Sequence, residues 1–192
     1  MTVILATFAL SILLGLLLGG RISGLAHLGL RWAPLAVLGL ALQLVPGSRG
    51  PISLALLYVS FALLAVFAVV NGRAGVPGAW LVLVGLWLNF TVIAVNQGMP
   101  VSREALVRSD QLDTLTALVE EGGAKHHLTR PSDRLLFLAD VIAIGPPVRQ
   151  AMSAGDLVVY AGVAWTIVVG MRAGRPGAAR PPAPEGVLAD AV

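Results

Sequence analysis

The chain has no cysteine among its 192 residues, which removes disulfide frameworks, thiolate metal sites and thiol nucleophiles together. Charge is nearly as scarce: Asp, Glu, Lys and Arg make up 12%, against roughly a quarter in ordinary soluble domains. Lysine is all but missing. Lys125 stands alone beside twelve arginines, a bias we read as that of a GC-rich bacterial genome rather than as chemistry. Aromatics are few, at 6%. The formal charge excess is only +3 and the basic residues are dispersed. A pI near 10.2 therefore makes no nucleic-acid surface.

What is there instead is hydrocarbon. Hydrophobic residues make up 57%, mean hydropathy is +0.86, and long runs carry no charge. These features define an all-α integral membrane protein. Residues 2–20 form the first uncharged run, with neither the basic start nor the small-residue cleavage site of a signal peptide. Runs at 52–70, 79–95 and 155–171 are equally clear. The run at 28–45 reaches spanning length only if Arg31 snorkels to the interface, a re-entrant half-span being the alternative. About five spans result. They make one transmembrane domain over residues 1–172, with a turn at 46–51 and a disordered Pro- and Ala-rich tail at 173–192. Trp80 fits an interfacial position and Trp87 an internal one.

Residues 96–153 are different. Seven acidic and six basic residues lie there, so this stretch reads as an extramembrane loop before the last span. Residues 102–123 predict one amphipathic interfacial helix, with Ser102 as N-cap, a stripe of Leu112, Leu115, Leu118 and Val119, and Gly122 and Gly123 at its end. Loops at 21–31, 71–77 and 172–180 hold six arginines and no acid. That side is expected to be cytoplasmic, with the N-terminus and the long loop outside, in a bacterial inner membrane.

Two aspartates beside apolar runs raise the question of function. Asp156 follows Ser153 by three residues, as in a capping box. Asp140 sits among Phe137, Leu138, Val141 and Ile142 and must find Arg, water or the other aspartate. Asn89 reads as an amide bonded to a neighbouring helix. Asn96 and Gly98 can cap the fourth span, and Asn96 lies at the same membrane face as both aspartates. The cluster "KHHLTRPSDR" holds His126, His127 and Arg134 without any metal-binding spacing. A charged loop tied down by Arg134 to Asp133 or Asp140 is its plain reading. A zinc site of one His with both aspartates is the lesser one.

Two resemblances follow. "FLAD" and "GDLVVYAG" look faintly like the aspartate-bearing stretches of lipoprotein signal peptidases, though the accompanying asparagines are absent. A closer one covers nearly the whole chain. "LLGLLLGGRISGLAHLGLRW", "LNFTVIAVNQGMPVS", "HHLTRPSDRLLFLADVI" and "SAGDL", in this order, resemble a bacterial membrane family catalogued as domain of unknown function 5317. That resemblance implies a small multi-span protein and transfers no catalytic residue.

The expectation is a non-enzymatic scaffold or accessory protein, without cofactor or metal. Its outward cluster of Asn96, His126, His127 and Arg134 would bind a membrane-protein or lipid-headgroup partner. The alternative is a cell-envelope intramembrane aspartyl hydrolase using Asp140 and Asp156 as catalytic residues. The two readings differ on one point: whether the aspartates are satisfied separately or converge on one cavity.

Overall fold

A computed structural model describes residues 2–45, 51–123 and 125–173. Of the turn expected at 46–51 and the tail expected at 173–192, residues 46–50 and 174–192 lie outside the described residues, while Pro51 and Ala173 belong to helices.

Three segments form the helices their apolar runs predict. α3 (Pro51–Arg73), α4 (Ala79–Asn96) and α7 (Ala154–Ala173) are each long and apolar enough to cross a membrane. Their outer faces are apolar as well: Val59, Val84 and Trp165 are all exposed. An apolar belt of that kind suits hydrocarbon rather than water. Trp87 belongs to it, at 62% exposure, and is not the internal residue expected.

The other two expected spans need correction. α1 (Thr2–Leu17) ends in a glycine break, with Gly19 at φ 74. A 3₁₀ turn at Ile22–Leu28 follows, bent by 108° from α1. α2 (Ala33–Leu44) has twelve residues, about 18 Å of helix against a hydrocarbon core of roughly 30 Å. It cannot reach back to residue 28 as the 28–45 run requires, because Ile22–Leu28 is already the 3₁₀ turn. Asn71 then fixes where α2 begins: its side chain accepts from the Arg31 N–H and donates to the Arg31 carbonyl, both at 2.9 Å. Among the described residues there are three full-length apolar helices, or four spans if the bent pair counts as one. There are not five.

The helices pack in the order α1–α7–α4–α3–α2. α1 and α2 lie at the two ends of this row and share no extended packing. Arg73 and Arg172 close α3 and α7. Arg31 is held by Asn71 near the end of α3, and the Arg21 N–H donates to the Met171 carbonyl at 2.8 Å. Four arginines therefore gather at the end of the bundle opposite the long loop.

The long loop is not purely helical. The expected single helix is two, α5 (Arg103–Arg108) and α6 (Leu112–Glu120). They are parted at Asp110, whose φ is 58 and whose carboxylate is paired with Arg149. Ser102 does cap α5, accepting from the Ala105 N–H. Leu115 and Leu118 pack inward while Leu112 and Val119 stay exposed. Four three-residue strands complete the loop. β1 (Met99–Val101) runs parallel to β2 (His126–Leu128), and β3 (Ile142–Ile144) antiparallel to β4 (Gln150–Met152). The fold is mostly helical, with two small ladders resting on one end.

Candidate functional site

Each group of the site is placed by a local device. α4 stops because Gln97 and Gly98 both take positive φ and return their N–H groups to the Ile93 carbonyl. The chain then leaves as β1. One edge of β1 pairs Met99 with His126. Its other edge takes Asp140, whose N–H donates to the Pro100 carbonyl and whose carbonyl accepts from the Ser102 N–H, both at 3.0 Å. Two residues fourteen positions apart are thereby brought together, with His126 Nε2 3.9 Å from Asp140 Oδ2.

Asp156 is fixed by α7. The Ser153 hydroxyl accepts from the Asp156 N–H at 3.0 Å, and Asp156 Oδ2 accepts from the Ser153 N–H at 3.1 Å. This is the reciprocal capping box expected from the sequence. Asn89 on α4 extends it. Its amide nitrogen donates to Asp156 Oδ1 at 2.6 Å, and its carbonyl accepts from the Ser153 hydroxyl at 2.8 Å. Both carboxylate oxygens thus accept a hydrogen bond.

Asp140 and Asp156 line the same cavity of about 700 Å³. Asn89, His126 and Tyr160 share that polar end, with Lys125 at its edge. The rest of the wall is mostly apolar, with Phe8, Phe61 and Phe67 among its aliphatic residues, and runs down between the helices. Asp140 is buried, and among the described residues its carboxylate has no hydrogen-bond donor nearer than His126. Burial pushes its pKa well above the usual carboxylate range, and the Asp156 charge adds to the shift. The His126 side chain is 55% exposed and opens onto the cavity. Burial lowers its pKa, against the opposing pull of Asp156.

Of the six residues singled out in the sequence, Asp140, Asp156 and His126 meet at the cavity. The other three form a separate brace. Asn96 grips the backbone of Arg134, donating to its carbonyl and accepting from its N–H. His127 Nε2 lies 3.2 Å from both Asp133 oxygens, with both side chains buried. Arg134 pairs with neither Asp133 nor Asp140 as expected, because these acids face the two histidines instead. Among the described residues no cluster of His, Asp and Glu could hold a metal. His127→Ala leaves Asp133 buried with only the Arg130 N–H. The expected loss is about 2–3 kcal/mol, read as a lower thermal unfolding midpoint in detergent.

Lys125 was missed as a working residue. Its ammonium donates to the carbonyls of Gln43, Val45 and Leu42 at 2.8, 2.9 and 3.5 Å, closing the C-terminal end of α2. Only its position as the one lysine, beside the two histidines, hints at this.

Fold and site together define a helical protein built for an apolar surround, with a polar-ended cavity between its helices. The chain matches the model of a family of unknown function, DUF5317, over residues 27–168, and it belongs to that family. Comparison with curated proteins and with solved structures gives no match, so the local likeness to lipoprotein signal peptidases gains no support.

Proposed function

We propose that the chain is a membrane-embedded hydrolase in which Asp140 and Asp156 act as a coupled acid–base pair. What carries the reading is their meeting on one cavity in unlike surroundings. Asp156 is bonded as an acceptor by Asn89 and the Ser153 N–H, whereas among the described residues the buried Asp140 carboxylate has no donor nearer than His126 at 3.9 Å. Carboxyls whose environments push them apart divide into base and acid. A scaffold role accounts for Asp156 through its cap, but it leaves the buried acid of Asp140 without a purpose.

The chemistry follows from those states. Asp156 takes a proton from water as the water oxygen bonds to an acyl carbon. Asp140 gives its proton to the carbonyl oxygen, leaving a neutral tetrahedral centre. When the acyl–O or acyl–N bond breaks, the leaving group takes the proton from Asp156 and the new carbonyl returns one to Asp140. The products are an acid and an alcohol or amine, and both carboxyls are restored. In a bacterial inner membrane, the arginine-rich end would face the cytoplasm and the site would open outward.

The test supplies the purified protein with acyl esters and acyl amides in heavy-oxygen water. One label atom should enter the released acid at a rate with a bell-shaped pH dependence. Absence of turnover for both bond types across the acidic to mildly alkaline range would sink the hydrolase reading.

A further inference from the structure

The shape of the cavity and the fate of its nearest cation together define a substrate class. The polar end holds Asp140 and Asp156, and the lining continues along α7 to Ile167. Eleven helical residues from Asp156 to Ile167 cover about 16 Å. That is about half of a hydrocarbon core of roughly 30 Å, or the depth of one leaflet. Leu28, Leu57, Leu64, Val82 and Val163 supply a wall with almost nothing to hydrogen-bond.

Among the described residues, the polar end has no cation to spare. All three protons of the Lys125 ammonium have carbonyl partners on α2, and His126 faces Asp140. A phosphate placed there would meet two carboxylic groups and no free ammonium or guanidinium among the described cavity-lining residues. The way in is also defined. α1 and α2 each contribute to the wall, through Phe8 and Leu40, yet α1 packs on α7 and α2 on α3. Both side chains are about half exposed, and the short α2 leaves that flank facing the bilayer.

We propose that the cavity takes a single-chain amphiphile from one leaflet, with an uncharged or cationic polar end, entering sideways between α1 and α2. The inference rests on the hydrolase reading only for the bond that is cut, an acyl ester or amide beside Asp140 and Asp156. Binding stands apart from it.

The experiment measures binding of three palmitoyl probes to the full-length protein in detergent: monopalmitoylglycerol, palmitoylcholine and palmitoyl lysophosphatidate. The first two should bind roughly tenfold or more tighter than the third. Ala36→Phe, which fills the cavity from α2, should weaken both by a similar factor. Val163→Phe serves the same end from α7 if the first variant fails to fold. Because the chain has no cysteine of its own, Phe8→Cys with Leu40→Cys can be bridged by a reducible linker. The bridge should slow uptake from vesicles, and reduction should restore it. Equal or tighter binding of lysophosphatidate, no effect of either filling variant, uptake indifferent to the bridge, or occupancy by detergent alone would each overturn the proposal. Binding without turnover would sink only the hydrolase reading. Turnover of a short-chain ester without any palmitoyl preference would sink only this one.

Discussion

Asp140→Asn is expected to abolish turnover while leaving the protein at least as stable as the parent at neutral pH. The two effects have one cause. Asp140 is buried, and among the described residues no donor comes closer than His126; burial penalises its ionised form and, with the Asp156 charge, holds its pKa well above the ordinary value. A carboxyl whose folded pKa is raised binds its proton more tightly in the folded state. Its contribution is most favourable below the unfolded value near about 4. It is lost progressively as pH rises towards the folded value. Asn keeps the size and removes the titration, so the variant should unfold with a flatter pH dependence over that window. Loss of the proton donor should cost about 10²–10⁴-fold in rate. Asp156→Ala should behave oppositely in stability. It removes the capping box and the Asn89 bond and should cost about 1–2 kcal/mol, together with activity. Thermal unfolding in detergent at several pH values, beside steady-state rates, separates the two. If Asp140→Asn destabilises the protein as much as Asp156→Ala does, Asp140 is a structural residue and the acid–base pair falls.

The contrast between these residues shows what was legible in the sequence. α3 and α4 follow from uncharged runs and α7 from an apolar run charged only near its ends, because hydrocarbon forces every backbone group into a helix. The capping box follows from Ser153 and Asp156 being three apart. Asp140 stands out through the cost of an acid among apolar neighbours. Its partner does not, because β1 and β2 are three residues each and too short to carry a period-two signal. The pairing of Met99 with His126 is long-range and leaves no trace in composition. Lys125 escaped for a similar reason: it caps α2 from a loop eighty-two residues beyond Gln43. The break between α5 and α6 was within reach. Ser109 and Asp110 are turn-forming residues, and the Ser109 hydroxyl donates to the Gln111 side chain across that turn. The leucine stripe masked it. The shortness of α2 depends on Asn71, whose hold on Arg31 no local pattern announces.

Gly155→Val should cost more stability than any change at the carboxylates, although it removes no polar group. A Cβ at Gly155 would run into the Asn89 side-chain oxygen, and one at Gly85 would come within 2.5 Å of the Gly155 carbonyl. α4 and α7 therefore meet backbone to backbone at the point where Asn89 reaches Ser153 and Asp156. Forcing a side chain between them adds overpacking strain of about 1–3 kcal/mol. It also displaces the Asn89 amide, stranding Asp156 Oδ1 at a further cost of about 1–3 kcal/mol. Together these approach the lower end of a whole domain's stability, about 5 kcal/mol, so the yield of folded protein should drop sharply. Gly145→Ala is the control. A Cβ there finds only the Arg108 carbonyl, at 3.8 Å, and should change nothing. A second substitution distinguishes packing from chemistry. Asn89→Ser in the milder Gly155→Ala background shortens the side chain that clashes, so part of the lost stability should return, a non-additive coupling between neighbours. Activity should not return with it, because serine cannot bond Asp156 and Ser153 at once as the amide does. Recovery of both together would mean that Asn89 only fills space and that Asp156 is positioned by its own helix alone.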